Sequence, residues 1–259
     1  MFTVNGVSLD NNTYDWRVMS DTRRRSQLSR DRASLRASGR DGVVAGLGAT
    51  VDASMLSVEV ETPTGFLEAL LALVGDSGVI AEGSREAAYE TVATPAEDME
   101  TATPRTSVSL SLRLPGAFWR DVTTTTTSEP LGAASVPVSV FGNISAPVAD
   151  AVIRVQGAAT AIRVTDSSGA WVTLPNVTAG QWVRFDSATG KAFITTSAAW
   201  SGGTDVSGQV DFGGPRGVFE ITPIITPGNP AVRFGQVAVS TATRSGASID
   251  IRGKAAYLL

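Results

Sequence analysis

From Val136 onward the chain is built from short β-branched or aromatic runs set between clusters of Gly, Pro, Asn and Asp. The runs are "VPVSVFG", "AVIRVQG", "AIRVTDSSGAWVTLP", "GQWVRFDSATGKAFITT", "GVFEITPII", "AVRFGQVAVST" and "ASIDIRGKAAYLL". Almost no helical spacing occurs among them. Several strands at this spacing, with turn residues between, are how a β-sandwich is written in sequence. No repeat of fixed period marks a propeller or a solenoid. The second half of the chain is therefore expected to be an antiparallel β-sandwich.

One run, Gly180 to Thr196, sets an aspartate, two hydroxyl residues, a glycine and a lysine between apolar stretches, and so raises the question of a site. A phosphate-gripping loop needs a fuller Gly-x-x-x-x-Gly-Lys-Ser/Thr and a helix after it. Here Gly190-Lys191 leads into a strand pattern and has no such glycine upstream. The "DSATG" stretch predicts a hairpin turn instead, with Asp186 bonding backbone amides and Gly190 taking the positive-φ position. "TDSSGAW" predicts a second turn of the same kind.

The first half reads differently. "MFTVNGVSL" predicts a short strand with Asn5-Gly6 as a turn. In "VDASMLSVEVETP", Met55, Ser57, Glu59 and Glu61 alternate with Leu56, Val58 and Val60, the pattern of a half-buried strand. The period then changes: Phe66, Leu67, Leu70, Leu71 and Val74 share one helical face, with Thr64 or Gly65 to open the helix and Gly75 to close it. It is the one convincing helix. Val108, Leu110, Leu112 and Leu114 share a strand face, and the hydroxyl-rich "TTTTTSEPLGAAS" reads as a linker. The expected fold is mainly β with one short helix, in two domains, 1–130 and 131–259.

Composition removes most chemistry. The chain has no cysteine and no histidine, which excludes disulfides, thiolate metal sites, Ser-His-Asp catalysis and zinc hydrolysis. What remains is carboxylates, Lys, Tyr or an oxygen-bound cation. No acidic pair stands out as a glycosidase dyad, since Asp166, Asp186, Asp205 and Asp211 all lie in turn contexts. No dense D-x-D-x-D spacing supports calcium. No enzyme, cofactor or metal is expected. No run is long enough to cross a bilayer, and "MFTVNGVSLDNN" lacks a signal-peptide pattern, so assembly in a cytoplasm is expected. The sequons Asn11, Asn143 and Asn176 then have no use.

The net charge of −4 hides a segregation. Between Arg17 and Arg40 stand eight arginines and two aspartates; from Val43 to Pro104 stand eleven acids and Arg85 alone as a base. Clustered arginine can neutralise nucleic-acid phosphates, but the chain is acidic and no aromatic residue interleaves the run. A subunit-interface or solvated loop is the preferred reading, with nucleic acid as the alternative. Arg23, Arg24, Arg25, Arg30 and Arg32 are the basic interface candidates, and Glu59 and Glu61 the acidic ones. Among Trp171, Trp182 and Trp200, the strand position of Trp182 suggests core. Trp200, beside Ser201-Gly202-Gly203, is expected to be the most exposed and is the candidate sugar contact.

Taken together, the segments resemble the distal tail protein family of long-tailed, non-contractile bacteriophages, often described as minor tail proteins. The "F-x-V-N-G" opening, "LSVEVETPTGFLEALLALVG" and "SLRLPGAFWRDV" are similar to that family's tail-tube-like domain, a split β-barrel or sandwich with one helix. "VFGNISAPVADAVIRVQGAATAIRVTDSSGAWVTL", "AGQWVRFDSATGKAFI" and "VRFGQVAVSTATRSGASIDIRGKAAYLL" are similar to its galectin-like β-sandwich. The arginine-rich segment, Ser20 to Gly42, is longer and more polar than the family's pattern. The resemblance implies a virion protein of the tail tip, a hexameric ring with the first domains around a DNA channel that does not bind DNA specifically. The ring would join the tail tube and tape-measure proteins to tail-tip hub or fibre proteins, without membrane contact. A carbohydrate-binding protein recognising host cell-wall polysaccharide through the sandwich is the alternative reading.

Overall fold

A computed structural model of the chain describes residues 1–19, 53–99 and 103–258, with the backbone of four two-residue strands between residues 30 and 51. Two compact units divide between Val122 and Thr123. The strand pairings whose register is described are antiparallel, and strands dominate the described residues with one short helix among them, so the mainly β reading with one short helix holds.

In the first unit, β1 (Phe2–Val4) and β2 (Val7–Ser8) are joined by the expected Asn5-Gly6 turn. β3 (Arg17–Val18) follows. β4 (Arg30–Asp31) pairs with β7 (Thr50–Val51), and β5 (Ser34–Leu35) with β6 (Val44–Ala45). The main sheet takes in β8 (Ser54–Pro63), β9 (Ser77–Glu82), β10 (Arg85–Ala93), β11 (Ala96–Met99), β12 (Arg105–Leu114) and β13 (Trp119–Asp121). Its strands run in the order β2-β1-β9-β10-β12-β8-β3. The predicted alternations are realised: Leu56, Val58, Val60, Val108, Leu110, Leu112 and Leu114 are buried on one face. Ser57, Glu59 and Glu61 register with Ser111, Ser109 and Ser107 on the other. Among the described residues no sheet closes into a barrel; this unit is an open sheet.

The helix α1 (Leu67–Val74) begins later than expected, because Thr64–Phe66 form a preceding 3-10 turn and Phe66 is exposed. The Thr64 hydroxyl lies 3.2 Å from that of Thr106 and caps nothing. Leu70 and Val74 are buried, and Gly75 closes the helix with its N–H on the Leu71 carbonyl. Sheet residues satisfy the carbonyls at this end. Tyr89 Oη donates to the Val74 oxygen at 2.6 Å and Thr91 Oγ1 to the Gly75 oxygen at 2.7 Å.

The second unit stacks two sheets. One contains β14 (Thr125–Pro130), β16 (Val152–Thr160), β19 (Trp182–Asp186), β20 (Lys191–Thr195), β21 (Thr204–Asp205) and β25 (Thr243–Gly253), in the order β14-β25-β16-β19-β20-β21. The other contains β15 (Ser135–Gly142), β17 (Ile162–Asp166), β18 (Trp171–Leu174), β22 (Asp211–Gly213), β23 (Pro223–Ile225) and β24 (Arg233–Ser240). Their order is β15-β24-β17-β18-β22, with β23 also on β24; β26 (Ala256–Tyr257) ends the strand series. Ile153, Val155, Val183, Phe185, Ile249 and Ile251 of the first sheet are fully buried, as are Ile162, Val164, Val172, Val237 and Val239 of the second. The Phe185 ring lies 5.6 Å from that of Phe212 across the gap. Side chains so buried contribute about 1.5–3 kcal/mol each, which makes this layer the main adhesive of the unit.

The hydroxyl-rich run expected to be a linker is strand instead: Thr125 to Pro130 make a full ladder with Gly253 to Ser248. Threonine is β-branched and suits an edge strand, so low complexity was the weaker signal. The two hairpin turns form as predicted. The Asp186 carboxylate accepts from the Ala188 and Thr189 N–H groups at 3.0 and 3.3 Å, and Gly190 has φ +67°. Asp166 likewise accepts from Ser168 N–H at 2.8 Å.

Candidate functional site

Within the second unit, the outer face of the β14-β25-β16-β19-β20-β21 sheet carries the densest polar and aromatic chemistry. In a strand flanked by Val183 and Phe185 pointing inward, Trp182 and Arg184 point outward by alternation. The Trp182 indole N–H donates to Gln156 Oε1 at 2.8 Å, and Gln156 Nε2 donates to Ser248 Oγ at 2.7 Å. Trp182 is thus half-buried on the outer face, which corrects its expected place in the core. The neighbouring row holds an ion pair: Asp250 Oδ2 accepts from Arg154 Nε at 3.1 Å and Nη2 at 2.7 Å, while Oδ1 accepts from Ser128 Oγ at 2.6 Å.

A strap, residues 196–203, covers this row. Arg154 Nη1 donates to the Ala198 carbonyl, and Arg184 Nη2 to the Gly202 carbonyl at 3.3 Å. The Arg154 guanidinium also sits 4.0 Å from the centre of the Trp200 ring, with Arg252 at 5.2 Å. Gly203 lets the strap descend: its φ is +108°, and a Cβ there would lie 2.7 Å from the Ile194 carbonyl oxygen. Trp200, expected to be the most exposed of the three tryptophans, is half-buried like Trp171 and Trp182 and is capped by guanidinium groups. Beside it opens a cleft of about 260 Å³, lined by Thr124, Asp150, Val152, Trp200, Arg252 and Lys254. A larger hollow of about 620 Å³ at Leu131 and Ala247 has Arg244 as its only ionic lining residue and no aromatic ring.

In the first unit, Glu59 and Glu61 lie where the alternation put them, and both are engaged within their own sheet. Glu59 Oε1 accepts from Ser107 Oγ at 2.6 Å, and Glu61 is ion-paired with Arg105 Nε. Arg105 is buried, and it also donates to Asp15 Oδ2 at 2.5 Å and to the Asp15 carbonyl at 2.8 Å. The hydrogen bond from Arg105, then that from Arg17, holds the Asp15 carboxyl below the usual carboxylate range. Sequence reading missed this cluster because Asp15 and Arg105 are 90 positions apart. The side chains of Arg23, Arg24, Arg25, Arg30 and Arg32 lie outside the described residues.

Two buried acids, Asp166 and Glu220, were also missed. Asp166 accepts from Thr222 N–H at 3.0 Å and Thr222 Oγ1 at 2.6 Å, which ties its turn to a distant segment. Nearby Glu220 is buried and pairs with Arg216 at 3.3 Å. Burial pushes its carboxyl up, Arg216 pulls it down, and Asp166 adds to the rise. Among the described residues no group of three acids could hold a metal, and no helix is long and apolar enough to cross a membrane.

No family model and no curated protein matches the chain. Among solved structures, it is similar to the Dit (gp 19.1) protein of SPP1, described as a paradigm of the hub adsorption apparatus in phages that infect Gram-positive hosts. That similarity has a TM-score of 0.58 at 16% identity and covers 98% of each chain. The phage P2 baseplate in its activated conformation with Ca aligns over 93% of this chain and 91% of its own at 10% identity, with a TM-score of 0.35. At such identities the first likeness speaks for the fold. The expected resemblance to phage distal tail proteins is borne out at that level: over nearly its whole length, this chain has the fold of the SPP1 Dit protein.

Proposed function

We propose that the chain is a structural component of a bacteriophage tail tip, a distal tail protein whose ring joins the tail tube to hub or fibre proteins below. One observation carries the reading: the likeness to SPP1 Dit runs end to end, 98% of both chains, so it takes in both units. A ring arises when one surface docks head-to-tail on another and the rotation closes, six times in this proposal. The first unit forms the belt around the DNA channel, and the second is a galectin-like module of the same tail-tip protein. The role is one of shape and contact, without chemistry of its own.

Images of the purified chain test this directly. A ring with a central channel is the expected result, and monomers at every concentration overturn the ring. Reversing charge at Arg23, Arg24 and Arg25 is expected to weaken the assembly at ordinary salt, read by light scattering. An unchanged oligomer removes those residues from the interface.

The cleft beside Trp200 favours a second reading, carbohydrate recognition through the second unit. A screen of purified chain against cell-wall glycans, with loss of binding on Trp200→Ala, supports it.

A further inference from the structure

The cleft beside Trp200 holds a charge that the fold leaves uncompensated. Arg154 is matched by Asp250. Asp150 and Lys254 each already have a partner. Arg252 differs: half-buried in β25, it has the Trp200 ring as its one side-chain partner among the described residues, and no ion pair with any carboxylate there. An unmatched guanidinium beside an indole offers a fork of donors that suits a planar or tetrahedral anion. Lys254 and Asp150, one positive and one negative, offset each other on the same walls, and Thr124 offers a hydroxyl at the rim. The volume, about 260 Å³, lies below the range of drug-sized pockets and suits a single small unit.

The strap makes the site partly pre-formed. Arg154 occupies a position over the Trp200 ring at 4.0 Å, so a sugar does not find an open stacking platform there without displacing it. Neutral saccharides, which depend on that stacking, are disfavoured. An anionic group instead gains from Arg252 directly. We propose that the Trp200–Arg252 cleft binds a saccharide or polyol unit carrying a phosphate or a carboxylate. Such a ligand is independent of the tail-tip role; it rests on the carbohydrate reading and narrows it to anionic units.

Saturation-transfer NMR titrations of the full chain with glucose 6-phosphate, glucuronate, glucose and inorganic phosphate test it. Glucose 6-phosphate or glucuronate is expected to bind at least tenfold more tightly than glucose and than inorganic phosphate. Which of the two binds more tightly identifies the anion. Arg252→Gln should erase the preference, Arg252→Lys should retain part of it, and Arg163→Gln, at the separate Trp171 contact, should leave it intact. Equal binding of glucose and glucose 6-phosphate, lost in Trp200→Ala, keeps the carbohydrate reading and overturns the anionic one. Binding of inorganic phosphate as tight as that of the sugar phosphate means an adventitious ion only, and also overturns it. No binding of any probe overturns both. Should Arg252→Gln fail to fold, Arg252→Lys at high salt replaces it: loss of the preference there supports the anionic site, and an undiminished preference overturns it.

Discussion

Changing Asp250 to asparagine perturbs the outer-face network at its most connected point. The carboxylate accepts two guanidinium bonds from Arg154 on one oxygen and the Ser128 hydroxyl on the other. Both members of the pair are nearly enclosed, 11% and 9% exposed at the side chain, so solvent screens them little. Removing one partner of a buried ion pair costs about 3–5 kcal/mol. Asparagine preserves the volume and one acceptor, which brings the expected loss to about 2–3 kcal/mol. For a unit of about 135 residues, each kcal/mol moves Tm by roughly 3–4 °C, so a fall of about 9 °C is expected. Calorimetry of the full chain reads it, with hydrogen exchange at β16 and β25 amides to assign the transition to this unit. The double variant Arg154→Met, Asp250→Leu supplies the internal control. Replacing both charges by apolar groups is expected to cost less than the two single changes together. A fall under about 2 °C for Asp250→Asn, or strict additivity in the double variant, refutes the claim that this pair is a buried, coupled unit.

Other perturbations address separate features. Gly203→Ala meets the Ile194 carbonyl at 2.7 Å in a positive-φ position, and should cost about 1–3 kcal/mol while shifting Trp200 fluorescence as the strap lifts; an unshifted spectrum contradicts the strap's close approach. Leu112→Ala, at a fully buried site in β12, should lower stability by about 2–5 kcal/mol in urea unfolding without changing m. Glu220→Gln should stabilise the chain near neutral pH and have little effect near pH 4. A carboxyl raised by burial contributes its stability below the unfolded pKa of about 4.3 and loses it as pH rises through the folded value. Equal Tm differences at both pH values would show that Glu220 is not raised.

What the sequence made legible was local. The Asp186 and Asp166 turns need only five or so contiguous residues, and the Leu56-Val58-Val60 alternation needs one strand, so both appear where pattern placed them. The misreadings share a cause as well. Trp182 reads as core from its neighbours in sequence, whereas its place on the outer face shows in its bond to Gln156, 26 positions away. Thr125–Pro130 looked like a linker because its partner, β25, lies more than a hundred residues away. The Asp15–Arg105–Glu61 cluster had no sequence signal beyond three separated charges.

The position of β25 in its sheet also sets an order of events during synthesis. Glu59 and Ser107, on the β8–β12 ladder, are 48 positions apart, whereas Ser128 and Asp250, on β14 and β25, are 122 apart. At about 5–20 residues per second on the ribosome, the first unit's central ladder can close well before β25 exists. Until then β14 and β16 each present a bare edge where β25 belongs, the arrangement most prone to pairing with another chain. Nascent second units therefore pass through a window of vulnerability, and fragments that stop short of residue 243 should aggregate instead of folding.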